Sequence, residues 1–410
     1  MDPATTRRTL LGAGALLAAG SLVRSARADE GDAKPAAEAD SGGKAPKRLK
    51  ILVLGGTRFL GPAIVDHALA RGHEVTLFNR GRSNPEMYAH LETLKGNRGA
   101  HADARRGRPA APVDLASLEG RTWDVAIDTS GYWPEFVEAS SKQLAKQVGH
   151  YVFVSSISVY PSFSKSAEEI TEETSLGDLK PREEYKGFDY GAFKALCEQA
   201  CEKHMPGRVA HVRPGLIVGD RDATRRFGEW PLRVHRGGEV IAPGNPEGHC
   251  QFIDVKDLGR FCVHLGETKA AGAFNANGFD SHLSFAEFLH GCKAAIRTDV
   301  SFTWVAEDFL EKQKVRPWRE LPNWIPAEAL AWVNVRKAIA AGLAFRPICD
   351  TIRDALAWEL KQKAAAEKAV ADGVEGARPW RWAMTPEREA EVLKAWHAHT
   401  LAPPAKPEGK

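Results

Sequence analysis

Cysteine and long apolar runs are both scarce in this sequence, and each shortage excludes a class of protein. Six cysteines in 410 residues are too few and too scattered for a disulfide framework. Cys197 and Cys201 lie one helical turn apart, but no CxxC pair or neighbouring histidine pair supports a metal site, so we predict that they pack within a helix. Beyond the N-terminus no apolar run reaches the roughly 20 residues that span a bilayer. We therefore predict no bound metal and no membrane span in the mature protein.

Net charge is also small, which argues against a nucleic-acid partner. The chain carries 56 lysines and arginines against 53 aspartates and glutamates. Removal of residues 1–28 takes away four arginines and one aspartate, which leaves 52 basic and 52 acidic residues. A neutral chain has no field that attracts a polyanion, so we predict that it binds no nucleic acid.

The first residues are predicted to be an export signal rather than part of the fold. The segment Thr6-Arg7-Arg8-Thr9-Leu10-Leu11 resembles a twin-arginine motif, and Ala26-Arg27-Ala28 offers a cleavage site. A transmembrane anchor is disfavoured because the segment is short and rich in Ala and Gly. Residues 1–28 therefore predict the export machinery as a partner and a periplasmic or extracellular mature protein. Residues 29–48, rich in Ala, Pro, Gly and charge, are predicted to be a disordered linker.

From residue 49 onward apolar strands alternate with helix-like segments. This alternation predicts an α/β fold with a Rossmann-type, doubly wound parallel sheet. The strand segments are KILVLGG, HEVTLFN, WDVAIDTSG, HYVFVSS and RVAHVRPGLIVG. We assign residues 49–220 to an NAD(P)-binding domain, whose sheet can take later strands.

The remaining residues are predicted to form a smaller α/β lobe and an extension. Residues 221–358 are assigned mainly to substrate binding, with helices at Arg225–Gly238 and Ser284–Arg297. Residues 359–410 form a C-terminal extension, in which 361–383 is predicted to be an exposed connection. A terminal helix is predicted after it, because a threonine and a proline stand at its start.

The stretch VLGGTRFLG, residues 53–61, predicts a phosphate-binding loop between the first strand and the first helix. Such a loop exposes backbone N–H groups and a helix N-terminus to a pyrophosphate. Its members are Gly55, Gly56, Thr57, Arg58, Phe59, Leu60 and Gly61. A glycine motif alone is weak, but here it lies inside a strand–turn–helix–strand unit, so we predict a dinucleotide site.

The end of the second strand bears on the choice of cofactor. It reads Phe78-Asn79-Arg80-Gly81-Arg82, without the acidic residue that binds the ribose hydroxyls of NAD. Arg58 and Arg80 offer guanidinium groups to a 2′-phosphate, which predicts NADP over NAD. The alternative is that these arginines only solvate the surface.

A tyrosine and a lysine in a YxxxK pair form the candidate catalytic centre. Tyr190 and Lys194 lie one turn apart on a predicted helix, and an earlier strand ends in Ser155 and Ser156. A lysine beside a phenol lowers the phenol pKa, and the phenolate can take a hydroxyl proton while hydride leaves the same carbon.

These motifs together resemble the extended short-chain dehydrogenase/reductase superfamily, the NAD-dependent epimerase/dehydratase group. The resemblance runs from about residue 51 to 358 and includes SSISVY, YGAFK, VRPGLIVG and QFIDVKDLG. It implies that Tyr190 is the acid/base, that Lys194 orients the nicotinamide ribose and that Ser156 hydrogen-bonds the reacting oxygen. It also implies that Asp128 and Ser130 line the cofactor.

Two departures refine the resemblance. Arg58 replaces the middle glycine, which is more similar to the atypical branch related to chloroplast stem-loop-binding proteins. Ile157 and Ser158 stand where sugar 4,6-dehydratases carry an Asp-Glu pair, so dehydration by that route is not predicted.

The sequence therefore predicts an exported NAD(P)-dependent oxidoreductase or epimerase that acts on a small sugar-like substrate. The alternative is a non-catalytic Rossmann-fold binding protein related to the stem-loop-binding members. The sequence determines neither whether the protein forms a homodimer nor which sugar it binds. Tyr132, Trp133, Phe227 and Trp230 are candidates to stack on a sugar ring or to belong to the core.

Overall fold

Short apolar segments of the N-terminal half form parallel strands, because helices cover both faces of the sheet that they build. A computed structural model of the chain describes residues 43–101, 110–161, 169–325 and 331–401. The predicted export signal and the start of the predicted linker lie outside the described residues. Within the described residues no helix is both long and apolar enough to cross a membrane.

The predicted strand segments are confirmed, but three short strands, and no α-helix among the described residues, stand between HEVTLFN and WDVAIDTSG, where the sequence predicts a helix. The strands are β1 Lys50–Leu54, β2 Glu74–Asn79, β3 Thr93–Lys95, β4 Asn97–Ala100, β5 Ala111–Asp114, β6 Trp123–Asp128, β7 Val148–Val154, β8 Val209–Pro214, β9 Leu216–Val218, β10 Gly238–Pro243, β11 Phe252–Asp254, β12 Gly272–Ala276 and β13 Val300–Val305. The helices are α1 Leu60–Ala70, α2 Pro134–Leu144, α3 Tyr190–His204, α4 Glu229–Arg236, α5 Val255–Thr268, α6 Phe285–Ile296, α7 Glu307–Lys312, α8 Arg336–Ala340, α9 Ile348–Ala371 and α10 Pro386–Leu401.

The central sheet has seven strands in the order β12-β8-β7-β6-β1-β2-β3, all parallel. The predicted doubly wound fold is therefore confirmed, and β12 is a late strand of the kind that the prediction left room for. The order reverses between β1 and β6. In open sheets of this kind the ligand binds at that reversal, beyond the carboxyl ends of the strands.

Both faces of β1 are buried, and its side chains alternate between two apolar layers. Ile51 and Val53 pack with the layer that contains α1 and α5. Leu52 and Leu54 face the opposite layer, where α2 and α3 lie. Each fully buried aliphatic side chain contributes about 1.5–3 kcal/mol, so β1 and the glycine loop that follows it are firmly held.

A second apolar core lies beyond β8, built around Trp230, Phe252 and Phe288. Two small parallel pairs, β9 with β11 and β10 with β13, flank it. The predicted helices in this region are confirmed as α4 and α6, and the predicted terminal helix is α10. Val392 and Leu393 of α10 are buried in the same core, so the C-terminal extension packs against it.

One segment differs from the prediction. Residues 361–383 were predicted to be an exposed connection, but α9 continues to Ala371. The sequence KQKAAAEKAVA at this point consists almost wholly of strong helix formers, Ala, Lys, Glu and Gln. Intrinsic helix propensity, which the apolar pattern does not report, explains the difference.

Candidate active site

The predicted phosphate loop has the backbone that a pyrophosphate needs. Gly55 and Gly56 adopt φ of 116° and 97°, which only glycine takes without strain. A Cβ on Gly61 would lie 2.5 Å from the Cα of Gly56, so the helix could not approach the turn so closely with another residue. Among the described residues no side chain caps the start of α1, where Phe59 is the N-cap. Within the first turn Gly61 donates to the carbonyl oxygen of Arg58 at 2.9 Å and Pro62 has no N–H, so the glycine turn and the positive end of the helix dipole are the features that fit a dinucleotide.

The loops after β1, β2, β6 and β7 open into one cleft of about 2190 Å³. This volume exceeds the roughly 300–1,000 Å³ of a typical small-ligand pocket, so the cleft can take a dinucleotide together with a substrate. Most of the predicted site residues line it. They are Gly55, Gly56, Thr57, Arg58, Phe59, Leu60, Asn79, Arg80, Ser130, Ser156, Tyr190 and Lys194. Gly61 lies behind the loop and acts through packing.

Asp128 does not line the cleft as the resemblance implies. Its side chain is fully buried and accepts hydrogen bonds from Arg98 and from the Tyr151 hydroxyl, the latter at 2.9 Å. The carboxylate is turned toward these two groups because an unpaired buried charge would be costly. Asp128 therefore positions Arg98, and it touches the loop only by accepting from the backbone N–H of Ser130.

Arg98 is a cleft residue that the sequence analysis did not identify. It lies on β4, lines the cleft, and also donates to the Ser140 hydroxyl at 3.0 Å. Burial acts to lower the pKa of this guanidinium, but the charge of Asp128 outweighs it and raises the pKa. No spacing motif marks Arg98, because the hairpin of β4 and β5 replaces the regular strand–helix alternation at this point.

Tyr190 and Ser156 meet at the mouth of the cleft. Ser156 follows β7, its hydroxyl accepts from the backbone N–H of Ser158 at 3.1 Å, and it acts to lower the pKa of the Tyr190 phenol. Tyr190 is the first residue of α3, whose N-cap Asp189 accepts from Ala192. A Cβ on Gly191 would lie 2.2 Å from the carbonyl oxygen of Ser158, so this glycine lets α3 begin beside the serine turn. The phenol is 39% exposed, and partial burial raises its pKa.

Lys194 lies one turn further along α3 and is nearly fully buried. Its ammonium donates to the carbonyl oxygens of Gly131 at 2.7 Å and Val154 at 2.6 Å, at the ends of two neighbouring strands. It also lies 4.5 Å from the ring centre of Phe153. Burial lowers its pKa. One of its three N–H groups remains available, which is enough for a single contact to a ribose hydroxyl.

Burial raises the pKa of the Tyr190 phenol, and two groups act against it. The groups that lower the pKa of Tyr190 against burial are the Ser156 hydroxyl and the charge of Arg226. Arg226 lines the same cleft, on the segment before α4. The sequence analysis did not single it out, because it stands in a loop with no motif spacing.

The rest of the cleft carries polar groups surrounded by aromatic rings. Amide, hydroxyl and imidazole side chains line its inner part: Thr224, Asn245, His249, Gln251, Asn277 and Asn323. Tyr132, Phe188 and Trp318 line its rim with exposed fractions of 49%, 52% and 38%. Trp133 also lines the cleft and packs on Phe188, whereas Phe227 and Trp230 are buried and belong to the core.

Comparisons with known proteins agree with this arrangement. A family model described as NAD dependent epimerase/dehydratase family matches residues 51–276. The chain is 26% identical over 262 residues to the chloroplast stem-loop binding protein of 41 kDa b of Arabidopsis thaliana, which covers 60% of this chain and 63% of that protein. The chain thus spans less than two thirds of that relative.

Solved structures share the fold at low identity. The enzyme WbmH of Bordetella bronchiseptica in complex with NAD+ matches with a TM-score of 0.54 and 15% identity over 77% of this chain and 99% of that one. UDP-glucuronic acid 4-epimerase of Bacillus cereus in complex with NAD matches with a TM-score of 0.51 and 14% identity, over 76% of this chain and 99% of that one. Both contain NAD, so neither supports the predicted preference for NADP.

Proposed function

Because the chain belongs to the NAD dependent epimerase/dehydratase family, we propose that it is an oxidoreductase or epimerase that acts on a hydroxyl-bearing carbon of a sugar or sugar derivative. The observation that carries the proposal is the meeting of Tyr190, Ser156 and Lys194 in the cleft that begins at the glycine loop. A bound nicotinamide supplies the hydride acceptor.

The side chains of the chain perform the proton transfer and the positioning. Ser156 hydrogen-bonds the reacting substrate oxygen, and the ionised phenol of Tyr190 takes the hydroxyl proton as hydride leaves the same carbon. The product is a ketone: its release leaves the sugar oxidised and the cofactor reduced, whereas return of hydride and proton to the opposite face of the same ketone gives the epimer. Lys194 is held rigidly by two carbonyl groups, so its remaining N–H can hold a ribose in one orientation.

A sugar is favoured by the lining of the cleft. Three of its side chains, His249, Asn277 and Asn323, each have a buried polar atom without a hydrogen-bond partner among the described residues, and these atoms can pair with sugar hydroxyl groups. The exposed rings of Tyr132, Phe188 and Trp318 offer flat apolar faces for the C–H side of a sugar ring. A purely aliphatic substrate would leave the three buried polar atoms unpaired.

The direct test uses purified protein and a panel of free sugars, glycosides and nucleotide sugars. We expect bound nicotinamide cofactor, either retained on purification or added, to gain the near-ultraviolet absorbance of its reduced form with at least one of them. A protein that binds cofactor but gives no reduction across the panel would instead support the alternative, a Rossmann-fold binding protein. The resemblance to the stem-loop binding protein is the observation behind that alternative.

NADP is proposed as the preferred cofactor. Asn79, Arg80 and Arg82 at the end of β2 line the cleft without a carboxylate, and Arg58 lines it from the loop. A guanidinium that pairs with phosphate contributes about 1.5–3 kcal/mol, or roughly 10- to 100-fold in affinity. We expect NADP to bind more tightly than NAD, and Arg80→Asp to remove that difference.

Calorimetry with both cofactors measures the difference in affinity between NADP and NAD, and Arg48→Asp is the control. Arg48 lies just before β1 and pairs with Glu74 at the far end of β2, so this change removes the same charge away from the cleft. Equal or tighter binding of NAD by the unaltered protein would refute the preference.

Export is the last part of the proposal. It depends on Arg7-Arg8 and Ala26-Arg27-Ala28, which lie outside the described residues. N-terminal sequencing of exported protein should begin at Asp29, and an intact Met1 would contradict cleavage.

A further inference from the structure

A short loop after α7 brings side chains to the cleft from outside the residues that the family model matches. This segment, the 314–324 loop, lies beyond the matched residues 51–276. The backbone N–H of Trp318 donates to the carbonyl oxygens of both Leu321 and Trp324, at 3.2 Å each. Leu321 and Trp324 are buried in the second apolar core. The loop is therefore closed on itself and fixed to the core, so the side chains that it carries have defined positions.

Two residues of the 314–324 loop adopt a left-handed backbone conformation. Trp318 has φ of 63° and Asn323 has φ of 59°, a region that residues other than glycine rarely occupy. It is least favourable for a bulky side chain such as that of Trp318, whereas asparagine tolerates it better. Such conformations persist where the surrounding contacts impose them. Here the unfavourable backbone coincides with two side chains that line the cleft.

The amide of Asn323 is buried without a complete set of hydrogen bonds. The residue lines the cleft and is only 8% exposed, yet its amide nitrogen has no acceptor among the described residues. The carbonyl oxygen of the preceding Pro322 accepts from the indole of Trp230, which fixes the backbone at this point. A buried N–H group without an acceptor is costly, so an oxygen atom of a bound ligand is the expected partner.

Trp318 offers an aromatic surface at the rim of the same cleft. Its ring centre lies 5.4 Å from the guanidinium of Arg226, whose Nε donates to the Thr224 hydroxyl at 2.9 Å. The arginine leaves the ring partly uncovered, since the residue is 38% exposed. An exposed indole in a cleft can bury one side of a sugar ring, where the C–H groups form a nearly flat apolar patch.

We propose that the 314–324 loop is the element that selects the sugar: a closed sugar ring stacks on Trp318 and accepts a hydrogen bond from the amide nitrogen of Asn323. The inference rests on the proposed function only in taking a sugar as the ligand of the cleft. Both contacts are made to the ring itself, so a simple glycoside without a nucleotide group is sufficient for binding. An open-chain alditol has similar hydroxyl groups but no flat C–H face, and ordering its chain costs conformational entropy.

Calorimetry of the cofactor-loaded protein tests the class of ligand. The probes are methyl glycopyranosides of the common hexoses and the alditols of the same hexoses. We expect at least one glycopyranoside to bind, and its alditol to bind about 10-fold more weakly or less. Binding by none of the glycopyranosides, or equal binding by the alditol, would overturn the inference.

Variants of the loop test the two residues. Trp318→Ala should weaken binding of that glycopyranoside by about 10-fold, the contribution of a stacked aromatic ring, and Trp318→Phe should restore much of it. Asn323→Gly should weaken binding by about 3- to 10-fold, because one hydrogen bond is lost. Glycine adopts φ of 59° without strain, so the backbone should persist. Asn323→Asp should weaken binding at least as much, since a carboxylate fills the same space but cannot donate.

Trp382→Ala is the matched control. The ring centre of Trp382 lies 5.8 Å from the guanidinium of Arg236, but this tryptophan does not line the cleft, so affinity for the glycopyranoside should be unchanged. Unchanged affinity in Trp318→Ala or in Asn323→Gly, or an equal loss in Trp382→Ala, would show that the loop does not select the sugar. Glycopyranosides that bind with the expected losses but never reduce the cofactor would leave the inference standing and contradict the proposed function instead.

Discussion

Tyr190→Phe is expected to slow cofactor reduction by ~10²–10⁴-fold, which is the usual contribution of a positioned acid/base. The change removes one hydroxyl from a side chain that is already 39% exposed, so the fold should persist. Cofactor binding should also persist, because Lys194 and the glycine loop are untouched. The measurement is single-turnover reduction of bound cofactor with whichever sugar the panel identifies.

The pH dependence of the same reaction gives an independent check. Burial raises the pKa of Tyr190, so at neutral pH only a small fraction of the phenol is ionised. Because the ionised form takes the proton, the rate of oxidation should rise with pH, reach half of its maximum at the pKa of the phenol and level off above it. The Tyr190→Phe variant should lack this rise.

Tyr132→Phe is the matched control for both experiments. Tyr132 lines the same cleft and also loses only a hydroxyl, and the change keeps its ring, which lies 6.5 Å from that of Tyr190 between ring centres. Its rate should stay near that of the parent. Reduction by Tyr190→Phe at the unaltered rate would show that this tyrosine is not the acid/base, and the dehydrogenase interpretation of the site would be wrong.

Glu198→Ala is expected to lower the free energy of unfolding by about 3–5 kcal/mol, because it leaves a buried arginine without its partner. Glu198 lies one turn after Lys194 on α3, and its carboxylate accepts from Arg213 of β8 at 3.0 and 2.6 Å. Arg213 also donates to the Tyr160 hydroxyl at 2.7 Å. The pair fastens the catalytic helix to the sheet. Urea unfolding measures the loss.

Glu202→Ala is the control on the same helix. Glu202 is half-exposed, pairs with His211 at 3.8 Å and accepts from the backbone N–H of Gly207 at 3.2 Å, so its removal should change the free energy of unfolding by about 1 kcal/mol. If Glu198→Ala lowered the free energy of unfolding by no more than this, the result would contradict a structural role for the buried pair.

The buried pair also predicts acid sensitivity. Burial acts to raise the pKa of Glu198, but the hydrogen bond and charge of Arg213 outweigh it and lower the pKa below the ordinary value of 4.5. The group therefore contributes stability above its unfolded pKa, and that stability is lost as the pH falls through the folded pKa. When the pH falls from neutral to below 4.5, the Glu198→Ala variant should therefore lose less stability than the parent does.

The sequence predicts most of the sheet and the catalytic helix because those features are local. An apolar strand that ends in glycines, and a tyrosine and lysine one turn apart, have fixed geometry wherever they occur. Asp128 could not be placed in this way. Its orientation depends on Arg98, thirty residues earlier on a hairpin that follows no periodic pattern.

The positions of Arg226, Phe227 and Trp230 also could not be predicted from the local sequence. All three stand within five residues, yet one lines the cleft and two are buried in the core. Their separation depends on how the segment is fastened to Glu359 and to the backbone of Arg381, more than 130 residues later. Contacts between residues so far apart in the sequence cannot be recognised from local composition.

These distant contacts set the order in which the cleft can be completed during synthesis. Domains of a nascent chain fold in the order in which they emerge, and the strands up to β8 can assemble early. The part of the cleft wall that contains Arg226 cannot form as early. Arg225 bonds Glu359 and the carbonyl oxygen of Arg381, and α4 pairs with Glu389 of α10. These partners are synthesised much later. A chain truncated before α10 would therefore keep the dinucleotide loop but lack these contacts of the cleft wall.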